Sequence, residues 1–575
     1  MFELYAQNRS AGKPNLITAD FLLLTHSLAL DQVTAEFEEK TAGPALAALA
    51  KQLSAAAKDG LAHDFAAVLE ALTTGASTVA GEAANGELRR VLEGKGIERS
   101  ALLLQNIDYT QFQPRGRYTR TPALTNYFRA YRYASAVLFP VVDSRATGIS
   151  AADADALTAA ALALTRAITG DPGLRKTYEA LEGHLGFFFG PPDDLTLSDY
   201  AGAASAASPA EARKQLFELK KRPRILGSVV DATRLEPGRT VYDVVTGFRL
   251  VPQRYSADSA ALGELVYPHG GAYQGKAEAP FTMGVINGQK MKAFPSGKEL
   301  MALLGSARAT ALLEGADDTS YAGYKEASAA AARALDTASG LPGRQLAMLR
   351  IWLHGATPAD ADQRLRAALA SWTAYRYAGL LYVKQSYSAV GKGLEMPRER
   401  AGAWIDPEPE LYLLLRQQVS LVRQHGEHPA LATWESALDQ CIDIAYAAKR
   451  GVSLDARQEE YLNSLDEILL TVVGKPDKPI VVDVHTEPNS GLVVEEGIGF
   501  PVSASVAGHP AVGARFSHHE FKQPMKERLT DEAWVAKLRT GFSADSVPPQ
   551  ASPKPAAVAS KPAKDKPGRF RRKNK

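Results

Sequence analysis

Most of the chain places its apolar residues at helical spacing, with polar punctuation that marks where helices begin and end. Thr18 or Asp20 is placed to cap a helix running to about Lys40. Residues 43–108 are rich in Ala and Leu and predict helices broken at Gly60 and Gly81–Gly86. Thr121 followed by Pro122 is an N-cap with Pro at the first helical position, and Pro140 is the expected stop. Within that helix Leu124, Tyr127 and Tyr131 form an apolar-aromatic stripe. Ser296 with Glu299, and Asp455 with Gln458, match the capping box, predicting helices over Met301–Leu313 and 455–472. Further helical patterns cover 151–190, 208–221, Tyr255–Pro268, Ala361–Tyr387 and 429–450, and Thr530 opens a last short one.

Two stretches break the helical period. From Arg224 to Val251 short β-type runs alternate with turns, such as Glu236-Pro-Gly. From Ile480 onward the density of strand formers is the highest in the chain. Ile480, Val481, Val482 and Val484 form a nearly continuous apolar run, as in a strand covered on both faces. Pro488-Asn-Ser-Gly491 is a turn, and Leu492–Glu496 is the return strand. Val502–Val506 and Ala514–Phe521 alternate. Alternation puts Asp483 and His485 on one face, and His518 and Glu520 on one face with His519 opposite.

These patterns predict a mainly α fold with a smaller β component (α+β). One large domain spans 1–541: helical over 1–220, mixed over 221–300, helical over 301–475 and β-rich over 476–522, with a final helix at 530–540. Residues 542–575 are rich in Pro, Ala and Lys and read as a disordered basic tail.

Charge sharpens that division. The chain of 575 residues has a formal net charge of +2. Residues 551–575 hold nine Lys/Arg and one Asp, so the tail carries +8 and the body −6. Such a tail suits non-specific contact with an anionic surface or nucleic acid. A single cysteine, Cys441, rules out an intrachain disulfide. No run of about 18 apolar residues predicts a membrane-spanning helix. The opening twenty residues show no basic segment followed by an apolar one, so no secretory signal is expected there.

Two sets of residues carry candidate chemistry. Asp483, His485, His518, His519 and Glu520 bring imidazoles and carboxylates together on the C-terminal strands. They suit a divalent metal or acid/base site, or alternatively polar residues satisfied at sheet edges. No HExxH or comparable spacing accompanies them. Arg115, Arg117 and Arg120 precede the Pro122 helix. They suit an anion site at its N-terminus, or pairing with carboxylates while packed on the tyrosines. Gly297-Lys298 is not a phosphate loop, because Lys292 stands where the leading glycine belongs.

An ordered set of segments resembles a bacterial and archaeal family, domain of unknown function 3160. They include Gly12-Lys-Pro-Asn-Leu-Ile-Thr-Ala-Asp20, Arg115-Gly-Arg-Tyr-Thr-Arg120, Gln253-Arg-Tyr-Ser256, Lys384-Gln-Ser-Tyr387, Asp483-Val-His-Thr486 and Arg515-Phe-Ser-His-His-Glu-Phe521. The resemblance implies association with the bacterial cell envelope and carries no reaction with it. Three functions follow as expectations. The first is a non-catalytic ligand- or partner-binding protein. The second is a metal-dependent hydrolase built on the Asp483/His485/His518/Glu520 group. The third is nucleic-acid association through the tail, which the acidic body opposes.

Overall fold

The computed structural model describes all residues except 58–59, 228–229, 231–233, 287, 386–403, 489, 507–508 and 548–575. It is 57% helical and 12% strand, which makes the class α+β with helices dominant. The local punctuation works as the sequence predicts at several helix starts. The Thr18 hydroxyl accepts from the Phe21 N–H and starts the helix Ala19–Phe37. Thr121 caps Pro122–Ala136, Asp455 and Gln458 close a capping box on Ala456–Val473, and Thr530 caps Asp531–Arg539.

Helix ends are less faithful to the pattern. The helix from Ala19 continues through a π turn, Glu38–Ala42, into Gly43–Ala56, with no break at Lys40. The wider turn places Glu38 on the buried side, fully covered. The Ser296/Glu299 box is present, yet its helix stops at Leu303 and another begins at Ala307. Gly305 between them sits at φ +101°, outside helical geometry. The helix from Pro122 ends at Ala136, before Pro140. The helix expected to reach Tyr387 ends at Ala378, and Tyr387 lies outside the described residues.

The stretch 224–251 gives less sheet than its alternation promised. Among its described residues only Gly247–Phe248 form a strand, and Val241–Val244 make one helical turn. Short β-type runs need a neighbouring strand to satisfy their backbone, and here the partners are the two-residue strand Phe139–Pro140 and a single bridge from Leu195.

Ile480–Glu487, Leu492–Ile498 and His518–Pro524 form a three-stranded antiparallel sheet, with Leu492–Ile498 in the middle. The strand expected over Ala514–Phe521 is split. Val512–Arg515 pairs with Val502–Ser505 in a separate hairpin, and the chain joins the main sheet only at His518. The Ala361–Ala378 helix covers one face of the sheet, and the Asp531–Arg539 helix touches the other. We call these the inner and outer faces. On the outer face the Trp534 ring lies over Gly497, where a Cβ would come within 2.6 Å of it. It also stacks on Phe521 at 4.9 Å. The sheet is thus sandwiched, as the apolar run at 480–484 predicts.

The chain beyond residue 541 is ordered further than its composition suggests. The Ala544 N–H donates to His519 Nδ1 at 3.1 Å, Asp545 pairs with Arg366 at 3.2 Å, and Val547 is buried. The basic tail from 548 onward lies outside the described residues. Among the described residues no helix is long and apolar enough to cross a membrane.

Candidate functional site

The sheet's register decides which candidate residues meet. Val494 opposes His485, but the next residue, Glu495, opposes Asp483. The first strand advances two residues there for one on the second, a β-bulge. Val494 and Glu495 point to opposite faces, so His485 and Asp483 do as well. Strict alternation had put these two together, and the bulge corrects it. Three rows follow on the inner face: His485 with Val494 and Lys522, Val482 with Glu496 and Glu520, and Ile480 with Ile498 and His518. The outer face carries Asp483 with Glu495 and Phe521, then Val481 with Gly497 and His519.

Each face holds a pair of adjacent buried carboxyl groups. On the inner face Glu520 takes the donors: Ser296 Oγ at 3.0 Å, the Gly297 N–H at 2.6 Å and the Lys298 ammonium. Gly297 permits this approach, because a Cβ there would lie 2.8 Å from Glu496 Oε1 and 3.0 Å from the Trp372 ring. Among the described residues neither oxygen of Glu496 has a hydrogen bond of good geometry. Burial, and then the neighbouring Glu520 carboxylate, push the Glu496 pKa well above the ordinary range. The two ring nitrogens of His518 hydrogen-bond to Thr373 Oγ1 (2.7 Å) and Ser546 Oγ (2.8 Å), one as donor and the other as acceptor. Burial, with His519 and Lys298 nearby, holds its pKa well below 6.5. Its 3.5 Å approach to Glu496 is therefore a contact of neutral groups and not an ion pair. Burial and the Lys292 charge likewise keep His485 neutral. Burial draws Lys522 down to about 6, while the Phe294 ring face 3.9 Å from its ammonium favours the charged form.

On the outer face Asp483 binds two guanidinium groups, Arg115 at 2.6 Å and Arg528. Against the opposing effect of burial, these hold it at about 2. Among the described residues its neighbour Glu495 accepts the Leu529 N–H alone, at 2.8 Å. Burial and the Asp483 charge raise Glu495 to about 8. His519, drawn down to about 4 by burial, packs edge-on to Trp534.

The metal site expected from Asp483, His485, His518 (or His519) and Glu520 is therefore not assembled. The bulge removes Asp483, Thr373 and Ser546 occupy His518, and Lys298 with its neighbours occupies Glu520. Among the described residues no group of three or more His, Cys, Asp or Glu side chains is placed to hold a metal ion.

The three arginines also separate. Arg115 reaches the sheet, as above. Arg117, fully buried, forks onto Glu38 through Nε and Nη2, both at 2.7 Å, and donates to Asp31 at 2.8 Å. Tyr118 also donates to Glu38. Arg120 binds the other Asp31 oxygen at 2.7 Å. The shared anion site at the Pro122 helix is thus replaced by carboxylates from the Ala19 helix and its π turn. Sequence reasoning weighed such pairing but had no signal for which carboxylates would serve.

Asp31 and Arg120 form the polar base of a crevice at the open end of the sheet. Its apolar wall comes from Leu24 and Leu28 of the Ala19 helix, Ile480 and Ile498 of the sheet, and Phe516. Tyr377 and the segment 473–478 complete it. Its cavity volume is only about 50 Å³, which makes it a tight slot. Ile498 shares its row with His518, so the inner-face polar group begins directly behind the slot. Roomier hollows share no lining residue with it: one of about 250 Å³ at Arg344 and Arg416, and two of about 320 and 720 Å³. The latter two lie side by side. Both border Arg234, next to residues outside the described set.

Five charged side chains line the crevice: Arg120, Lys475 and Lys478 against Asp31 and Asp477. Asp31 is taken by Arg117 and Arg120, and Asp477 accepts the Phe2 N–H at 3.0 Å. Lys478 pairs with Asp531 and Glu532, and Asp531 also accepts from Tyr377 at 2.6 Å. Lys475 is exposed and makes no hydrogen bond or ion pair among the described residues. The sequence carried no motif that marked it.

No curated protein and no solved structure matches the chain. A family model described as "Protein of unknown function (DUF3160)" matches residues 1–548. That span takes in the sheet, the arginine segment and the crevice, and the chain belongs to the DUF3160 family.

Proposed function

We propose that this protein is a non-catalytic binding protein that holds a small ligand in the crevice between the Ala19–Phe37 helix, segment 473–478 and the end of the C-terminal sheet. The observation that carries this reading is the joining of a continuous apolar wall to a polar base in one slot. The neighbouring polar groups speak for holding over turnover. His518, Glu520 and Asp483 are saturated by internal partners, and Glu496 has no exposed atom to offer. The envelope association implied by the family resemblance belongs to the same reading, and cell fractionation tests it.

Ser27 lines the slot from the Ala19 helix, so Ser27→Trp is expected to fill it. Fluorescence enhancement of the rod-shaped apolar dye 1,6-diphenylhexatriene on the folded wild-type protein, lost in the Ser27→Trp variant at equal thermal stability, is the expected outcome. Equal enhancement in both proteins would place the dye elsewhere and remove this reading.

A further inference from the structure

We infer that the occupant of the crevice is a single-chain amphiphile with an anionic head group, its head met by Lys475 and its chain laid along Leu24, Leu28, Ile480, Ile498 and Phe516. The inference rests on the crevice being a binding site and adds the class of ligand.

Charge assigns the head group. Among the lining side chains the cations outnumber the carboxylates by one; the Met1 ammonium also lines the crevice but is paired with Asp477 at 2.6 Å, and both carboxylates have partners within the protein. Arg120 and Lys478 are likewise engaged. The surplus is the Lys475 ammonium, which stands among the fields of Arg120, Asp31, Lys478 and Asp531 without an ion pair of its own. Partial burial and the Arg120 charge pull its pKa downward, a pull that a bound anion would oppose. A neutral or cationic head group gains nothing from such a position.

Shape assigns the chain. The crevice has little free volume and a wall of Leu24, Leu28, Ile480, Ile498 and Phe516, which suits a narrow extended alkyl chain better than a broad body. The wall residues are aliphatic or aromatic, so each methylene drawn in leaves water for an apolar surface. That corresponds to about fourfold in affinity per methylene. A carboxylate and a phosphate monoester offer the same anionic end, and probes can separate them.

The test is isothermal titration of the full-length protein with decanoate, decyl phosphate, decanol and decyltrimethylammonium, each below its micelle-forming concentration. The expected result is that at least one anion binds about tenfold tighter than decanol, the worth of one hydrogen bond to a charged group. That advantage should shrink with added salt. It should vanish in Lys475→Gln and persist in Lys475→Arg. Tighter decyl phosphate identifies a phosphate head, and tighter decanoate a carboxylate. Decanol binding as well as both anions, or an unchanged anion preference in Lys475→Gln, overturns the inference while leaving crevice binding in place. If none of the four probes binds, the inference and the proposed function fall together.

Discussion

The two faces of the C-terminal sheet solve the same problem with opposite means. Each buries two carboxyl groups side by side, and each leaves one of them without sufficient donors. On the outer face two guanidinium groups converge on Asp483 and hold it at about 2, so its neighbour Glu495 rises to about 8. On the inner face a single ammonium, a hydroxyl and a backbone N–H converge on Glu520, and Glu496 rises well above the ordinary range. Two adjacent buried carboxyls do not both ionise without counter-charge. Which member keeps its proton is set by where the donors point, and that differs between the faces although the residue types match.

The largest expected effect breaks the outer face. Asp483→Ala leaves Arg115 and Arg528 without their shared carboxylate, and both side chains are mostly buried. A loss of about 3–5 kcal/mol is expected in urea denaturation. A loss under 1 kcal/mol would show that the guanidinium groups find other partners and that the outer pair does not organise this face.

On the inner face the two glutamates should respond unequally. Glu520→Gln removes the charge that faces Lys298 and weakens three hydrogen bonds, an expected loss of about 1.5–3 kcal/mol. Glu496→Gln replaces a protonated acid by a neutral amide of the same shape and should stay within about 1 kcal/mol. Equal losses would erase the distinction drawn between them.

pH separates the faces further. The folded pKa of Glu495, about 8, lies above its unfolded value, so the folded state holds the proton more tightly. The stability this gives is complete below about pH 4.5 and is lost as pH rises through 8. The difference between the melting curves of wild type and Glu495→Gln should therefore grow from pH 5 to pH 8 and then level off. Asp483 has the opposite sign: its contribution is present above about pH 4 and disappears as pH falls through 2. A difference curve flat between pH 5 and 8 would mean that Glu495 is ionised in the folded protein.

The smallest effect is the sharpest control. Lys475→Gln removes an exposed side chain with no ion pair, so stability should change by less than about 0.5 kcal/mol. A melting shift as large as that of Asp483→Ala would make Lys475 a structural residue and remove it from the crevice's chemistry.

The candidate site was legible as a set of residue types and illegible as an arrangement. His518 and Glu520 do share a face, as alternation predicts, because their strand pairs in unbroken register with Leu492–Ile498. Asp483 and His485 do not, because the register shifts between Val494 and Glu495. The separate hairpin at 512–515 shows the same limit. A run of alternating residues says that a strand is present but not which partner it chooses. Lys475 could not be singled out at all, since an unpaired lysine looks like any other until its neighbours are known.

What the sequence determined by itself was local. Thr18, Thr121, Asp455 and Thr530 start their helices through bonds to backbone three residues away, and those bonds need no knowledge of the rest of the chain. The apolar run at 480–484 required cover on both faces wherever that cover came from. Tertiary structure alone decided that Arg117 meets Glu38, that Arg115 meets Asp483, and that Glu496 and Glu520 divide their donors unevenly. Those outcomes depend on separations of a few ångströms between residues far apart in the chain, and on the exclusion of water around them. Both are properties of the packed molecule, because charge and proton affinity follow distance and burial rather than order along the backbone.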